Sequence, residues 1–360
     1  MKKIFCVILT VMLVLSLFSG CSVHDNRITI NVYNWGQYIS EGDDGCIDVI
    51  AEFEKAYPNI RVNYVTFDSN ETMYTKMSNG GITVDVIIPS DYMVGRLIEE
   101  DMLLPLNFDN IPNAQEYIDP RLWEQSRSFD PDNAYSVPYA WGVVGIIYNS
   151  KYVDEADVTG WDLLWNEKYA DKILMFDNSR DAFGIAQCLL GYELNTDDPA
   201  ELEHCAQKLK EQRPVVQQYI MDQVFDLMEN EEAWIAPYYA GDYLTMADEN
   251  DALKFYLPEN QRYNRFIDAM CIPKCAKEKE AAELFINFLC DPEIAGGNMD
   301  WICYFTPVPA AKEYMDPEIA DGDLPYLEKK VWDRGEGYLT LPVKTTRLME
   351  ELFMAVRNGL

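Results

Sequence analysis

The sequence predicts an α/β protein of two lobes, each a mainly parallel sheet flanked by helices. Strand-like and helix-like segments alternate with short breaks from Ile28 to Glu100, the β-α-β-α-β order that builds a parallel sheet covered by helices. A stretch rich in Pro, Asn and Asp from about Leu106 to Pro138 interrupts this order, and an apolar strand from Gly142 to Tyr148 opens a second α/β series. Of the 360 residues, roughly 340 remain beyond an N-terminal leader, enough for two domains that each bury a core.

The elements follow in order. Ile28 to Tyr33 reads as a strand, Cys46 to Tyr57 as an amphipathic helix ended by Pro58, and Ile60 to Phe67 as the next strand. Ser69 and Asn70 are capping candidates for a helix from Glu71 to Met77, which leads through Gly80-Gly81 to the apolar strand Val84 to Ile88. Pro89 ends that strand, and a helix runs on to about Glu100. In the second series a strand is expected at Lys172 to Phe176, with helices at Asp181 to Leu190, Pro199 to Gln212 and Met221 to Glu229. Strands at Ala233 to Ala236, Leu253 to Tyr256 and Ile267 to Ile272 follow, then helices at Lys277 to Leu289, Asp291 to Met299 and Thr346 to Arg357. Residues 27–138 and 267–312 are assigned to lobe 1, and 139–266 and 313–360 to lobe 2.

The first residues have a different character. Lys2 and Lys3, the apolar run Ile4 to Phe18 and the small residues Ser19-Gly20 before Cys21 make a secretory leader over residues 1–20. Its apolar run is about fifteen residues, short of the roughly twenty that span a bilayer. Phe18-Ser19-Gly20-Cys21 resembles the bacterial lipoprotein box, with Phe18 where Leu is usual, and implies that Cys21 is lipidated and anchors the mature chain to a membrane. The alternative is an ordinary cleaved signal with Cys21 an incidental thiol. Either reading puts the protein outside the cytoplasm.

Composition excludes several classes. A net charge of −32, or −34 once Lys2 and Lys3 leave with the leader, repels nucleic acid and anionic lipid and mildly favours a cationic ligand. Seven cysteines lie beyond Cys21, an odd number without regular spacing, so mostly buried thiols with one or two bridges at most are expected. Histidine occurs twice, at His24 and His204, and the chain has no GxSxG elbow, no GxxxxGK[ST] loop and no HExxH helix. Nothing here points to catalysis, a metal or a cofactor.

Ligands of open α/β sheets bind where strands end and loops begin. Those positions hold Tyr33-Asn34-Trp35-Gly36-Gln37-Tyr38, Pro89-Ser90-Asp91-Tyr92, Asp177-Asn178-Ser179-Arg180-Asp181, Tyr238-Tyr239-Ala240-Gly241-Asp242, Phe266-Ile267-Asp268 and Trp301-Ile302-Cys303-Tyr304. Each aromatic residue alone reads as core or rim, and Asp181 alone as a first-turn helix acid. The recurrence of aromatic and acidic residues at successive strand ends suits a linear polyamine. Carboxylates hold its ammonium groups by charge-assisted hydrogen bonds, while aromatic faces cover its methylenes.

These segments, with Ser69-Asn70-Glu71-Thr72-Met73-Tyr74, Ser136-Val137-Pro138-Tyr139-Ala140-Trp141-Gly142, the stretch around Arg180, Asp268 ahead of Ala269-Met270-Cys271-Ile272-Pro273, Ile286-Asn287-Phe288-Leu289 and Tyr304-Phe305-Thr306-Pro307, resemble the spermidine/putrescine-binding proteins of bacterial ABC importers. The resemblance runs through nearly the whole mature chain. It implies the two-lobed periplasmic-binding-protein fold with a ligand cleft between lobes, a membrane permease as partner, and a monomer that closes on its ligand. Carried over position by position, it implies that Trp35, Tyr38 and Tyr304 are aromatic walls, Ser90 and Tyr92 polar contacts, and Asp268 the buried carboxylate that grips an ammonium group. Where relatives often carry two acids on one loop, this chain has Asn178 and Asp181, so one anion is missing or supplied by Asp177 or Asp242. Tyr238 and Phe266 stand where Trp is common, and Leu339 where spermidine binders offer an amide. Competing readings are a binding protein of the same architecture for a sugar or ferric ion, with Tyr238-Tyr239 the suggestive pair for iron, and a secreted carbohydrate-active enzyme.

Overall fold

The computed structural model describes residues 27–320 and 335–359. The leader over residues 1–20 and Cys21 lie outside the described residues, as does part of the 313–360 segment.

Parallel pairing opens the chain. Strand β1 (Ile28–Trp35) pairs along its whole length with β2 (Ile60–Phe67), in register from Ile28 against Ile60 to Trp35 against Phe67. Helix α1 (Val49–Ala56) connects them, starting at Asp48, whose side chain accepts from the Ala51 N–H, and burying Val49 and Phe53. Next, α2 (Asn70–Ser78) begins at Ser69, whose hydroxyl oxygen accepts from the Thr72 N–H at 3.2 Å. Strand β3 (Val86–Ile87) then pairs parallel with β1, and α3 (Asp91–Glu99) follows it. The stretch expected to be irregular contains two short helices, α4 (Pro112–Tyr117) and α5 (Pro120–Ser126), each with proline in its first turn, where no amide donor is needed.

The strand expected at Gly142 to Tyr148 is β4 (Ser136–Asn149), fourteen residues buried throughout. Pro138 argues against a central strand, yet the pairing register shifts between Pro138 and Ala140, and an irregularity of this kind is where a sheet tolerates proline. After it come β5 (Ile173–Phe176), α6 (Ser179–Leu190), α7 (Pro199–Gln212), β6 (Val216–Ile220), α8 (Val224–Glu229), β7 (Ile235–Tyr239), α9 (Ala240–Glu249) and β8 (Leu253–Tyr256). The chain continues through β9 (Tyr263–Cys271), α10 (Lys279–Leu289), α11 (Pro292–Ile302), α12 (Pro317–Ala320), β10 (Gly335–Glu336) and α13 (Val343–Arg357). Four of these, β6, α9, α12 and β10, go beyond the elements the sequence predicts. The β6 sequence Val-Gln-Gln-Tyr-Ile is polar at its centre, because among the described residues it forms the sheet edge.

All strands join one ten-stranded sheet in the order β2-β1-β3-β9-β4-β7-β5-β6, with β8 on β4 and β10 on β9. The pairs β1 with β2, β1 with β3, β5 with β6 and β5 with β7 are parallel. Two antiparallel strands connect these parallel groups. Ser136 to Val143 of β4 pair with β9, and Val144 to Tyr148 continue along β7. Strand β9 runs from β10, at Tyr263, to β3, where Cys271 faces Ile87. Among the described residues no disulfide forms, and Cys188, Cys205, Cys271 and Cys290 are buried thiols.

Candidate ligand-binding site

The loops at the strand ends converge on one cavity, with about 890 Å³ of empty space including its open mouth. All eleven residues singled out from sequence line it: Trp35, Tyr38, Ser90, Tyr92, Asn178, Asp181, Tyr238, Asp242, Phe266, Asp268 and Tyr304. Local structure explains their convergence. Trp35 ends β1, and Tyr38 follows in the loop. Ser90 is the residue before α3 and bridges to Asp268 of β9, where Ala269 N–H also donates to the Pro89 carbonyl at 2.9 Å. Asn178 caps α6 by accepting from the Asp181 N–H at 2.8 Å, which fixes Asp181 in the first turn. Asp242 occupies the first turn of α9, after β7 has delivered Tyr238 and Tyr239. Tyr304 follows Cys303, which closes α11 in the left-handed conformation at φ 55°.

The aromatic side chains form a continuous wall. Tyr38 meets Tyr304 edge to face at 4.8 Å between ring centroids, Tyr304 meets Phe266 at 6.1 Å, Phe266 meets Tyr239 at 5.4 Å, and Tyr239 meets Tyr238 at 4.9 Å. Trp35 packs on Phe67 at 4.7 Å, and its buried indole N–H has no hydrogen-bond partner among the described residues.

The polar part is acidic and short of positive charge: no Lys or Arg lines the cavity among the described residues. Tyr38 donates to Asp268 Oδ2 at 2.7 Å, while Asp268 Oδ1 is buried and unpartnered. Burial raises the Asp268 carboxyl to about 6, aided by the charge of Asp181 and opposed by the hydroxyls of Ser90 and Tyr38. Asp242 is pushed up to about 7 by burial, with Asp222 and Asp268 adding to the rise and the Tyr304 hydroxyl opposing it. Asp181 is better supplied. Asn178 Nδ2 and the Tyr239 hydroxyl each donate to its Oδ2 at 2.8 Å, and nearby Arg180 offsets part of its burial. Arg180 itself points away, donating to the Leu194 and Leu339 carbonyls and to Asn195 Oδ1 and stacking on Tyr338 at 4.2 Å. Glu71 accepts from the Tyr92 hydroxyl at 2.9 Å, and Asn70 donates to the same hydroxyl at 3.0 Å.

Two expectations change. Asp177 is not among the lining residues and forms an ion pair with Arg357 at 2.5 Å, so it supplies no anion to the cavity. Leu339 is exposed, donates its backbone N–H to Asn195 and does not line the cavity; its neighbour Tyr338 does. The sequence reading also missed Glu71, Asp222, Tyr239 and Tyr338 as lining groups. Tyr239 was within reach, since it ends the same strand as Tyr238 and carries the hydrogen bond to Asp181.

A cleft at strand ends, lined by aromatic rings and uncompensated carboxylates, is built to capture a small cationic molecule. The chain belongs to the bacterial extracellular solute-binding proteins, whose family model matches residues 48–325, and these are binding proteins, not enzymes. Among relatives, it is 32% identical to the spermidine/putrescine-binding periplasmic protein of Salmonella typhimurium over 319 residues, 88% of each chain. A solved ABC transporter protein of Listeria monocytogenes of the spermidine/putrescine class is 36% identical and superposes with a TM-score of 0.84, covering 91% of this chain and 98% of that one. The solved substrate-binding protein of the Streptococcus pneumoniae spermidine/putrescine ABC transporter is 35% identical, with a TM-score of 0.76 and coverage of 92% and 99%.

Proposed function

We propose that this chain captures a polyamine outside the cytoplasm and delivers it to the membrane permease of an ABC importer. The observation that carries the reading is the Asp268 carboxylate, buried with one oxygen unpartnered and no Lys or Arg in the cavity among the described residues. An ammonium group supplies both the missing donor and the missing charge. The aromatic wall gives the intervening methylenes an apolar cover. The eleven cavity residues act as ligand contacts in this reading.

The antiparallel strands β4 and β9 favour two lobes, 27–138 with 267–312 and 139–266 with 313–360, which close on the ligand about these crossings. Lipidation at Cys21 tethers the monomer near its permease.

The test is a thermal-shift screen of ligand-stripped protein against putrescine, cadaverine, spermidine and spermine, with maltose and ferric citrate as competitors for the role. Ligand at a hundred times its Kd adds about 2.7 kcal/mol of apparent stability. A rise with polyamines alone supports the reading; a rise with maltose or iron and none with any polyamine sinks it.

A further inference from the structure

The cavity acids are not equivalent, and their arrangement bears on which polyamine fits. Asp268 is 4% exposed at the inner end, Asp242 is half-buried, and Asp222 is exposed at the mouth. All three line the one cavity, and their exposure rises from Asp268 through Asp242 to Asp222, which orders them from its floor to its mouth.

Asp222 reaches the cavity by a specific route. It follows the edge strand β6 and leans over the loop after β1, where a Cβ on Gly36 would meet its Oδ2 at 3.2 Å. Only the bare glycine leaves this room freely. Its charged neighbour there is Asp68, another acid, and the adjoining cavity surface is apolar, made by Trp35, Phe67 and Phe225. Two carboxylates lining the same part of the cavity as aromatic rings make a position for a cation.

Resting on the polyamine reading above, we infer that Asp222 is a specificity-determining residue that holds the outermost ammonium of a triamine, whose inner and middle nitrogens sit on Asp268 and Asp242. A diamine gripped at Asp268 and Asp242 ends short of the mouth and gains little from Asp222. The anion missing at Asn178 is thus replaced from a different strand end, and the cleft selects for three charges over two.

The experiment measures Kd for spermidine and putrescine by calorimetry with wild type, Asp222→Asn and Asp268→Asn, alongside the melting temperature of each free protein. Asp222→Asn should weaken spermidine at least tenfold and putrescine less than threefold, with an unchanged melting temperature, since its side chain is exposed. Asp268→Asn should weaken both ligands. Gly36→Ala, which crowds Asp222 off its position, should reproduce the direction of Asp222→Asn. If Asp222→Asn leaves the ratio of the two affinities as in wild type, the assignment of Asp222 is wrong while the polyamine reading stands. If wild type binds neither amine, the reading and this inference fall together.

Discussion

Asp130 and Asp268 are both carboxylates buried almost completely, 1% and 4% exposed, yet the chain treats them in opposite ways. The loop before β4 wraps Asp130 with the backbone N–H groups of Ala134, Tyr135 and Ser136 and the Ser136 hydroxyl, at 2.9 to 3.0 Å. Asp85 is served likewise by the N–H groups of Asn31, Lys277 and Glu278. Asp268 has only side-chain hydroxyls, with Tyr38 donating to Oδ2 and Ser90 nearby, and its Oδ1 has no partner among the described residues. This fold can satisfy a buried carboxylate with its own backbone, so leaving one unsatisfied at the floor of an open cavity supports the proposed grip of Asp268 on an ammonium group.

The sharpest way to break that contrast is to neutralise each acid. Asp130→Ala strands four donors and should cost about 3–5 kcal/mol of stability, read as a lower midpoint in urea. Asp268→Asn should leave the free protein as stable as before, or more so, because it removes a desolvated charge that lacks a counter-ion. Its polyamine affinity should fall by about 3–5 kcal/mol. If Asp268→Asn unfolds the protein while Asp130→Ala does not, the division into structural and ligand-facing acids is wrong.

Acidity sharpens the comparison further. The folded-state carboxyls of Asp268 and Asp242, at about 6 and about 7, lie above their ordinary 3.8. Between roughly pH 4 and 7 the folded protein therefore holds protons on these groups that the unfolded chain has released. Their contribution to stability is fully present at low pH and is lost as pH rises through 6 to 7. Binding of a cation runs the other way, since it favours the deprotonated forms. Polyamine affinity should rise from pH 5 to 7.5, and binding near pH 6.5 should release protons, visible as a calorimetric enthalpy that depends on the ionisation heat of the buffer. Asp268→Asn and Asp242→Asn should each remove part of that dependence; a buffer-independent enthalpy in wild type would contradict it.

A smaller effect is expected from Tyr38→Phe. The lost hydroxyl leaves Asp268 with one donor fewer, so its carboxyl rises further above about 6 and polyamine affinity at pH 6.5 drops by about 1–2 kcal/mol. The drop should shrink at pH 8, where the carboxyl ionises regardless. A loss independent of pH would assign Tyr38 to packing against Tyr304 instead.

Much of this cleft was legible in the sequence because strand ends are. A parallel strand announces itself by a short apolar run, so the segments holding Ser90, Tyr92, Asp181 and Asp242 could be placed at strand ends, and the family resemblance singled out these residues within them. What could not be read belongs to elements with weak patterns. Strand β6 is polar because it is an edge, and Asp222 was hidden with it. Tyr338 follows the two-residue strand β10, whose pairing with β9 is a tertiary fact with no local signature. Strand β4 was cut short at Gly142 because Pro138 looked like a break, although the register shift beside it absorbs the proline.

The smallest expected effect tests the same division on an acid that sits beside the site without belonging to it. Asp177 ends one residue before the Asn178 cap and was a candidate to replace the missing anion. Its carboxylate instead pairs with Arg357 of α13, part-exposed on both sides, and does not border the cavity. A part-exposed pair of this kind is worth about 0–1 kcal/mol. Asp177→Asn should therefore shift stability only slightly and change polyamine affinity less than twofold, whereas Asp242→Asn, on the neighbouring strand end, should change it at least tenfold. Equal losses from the two would mean that overall negative charge attracts the ligand and that the cavity carboxylates have no special place in holding it.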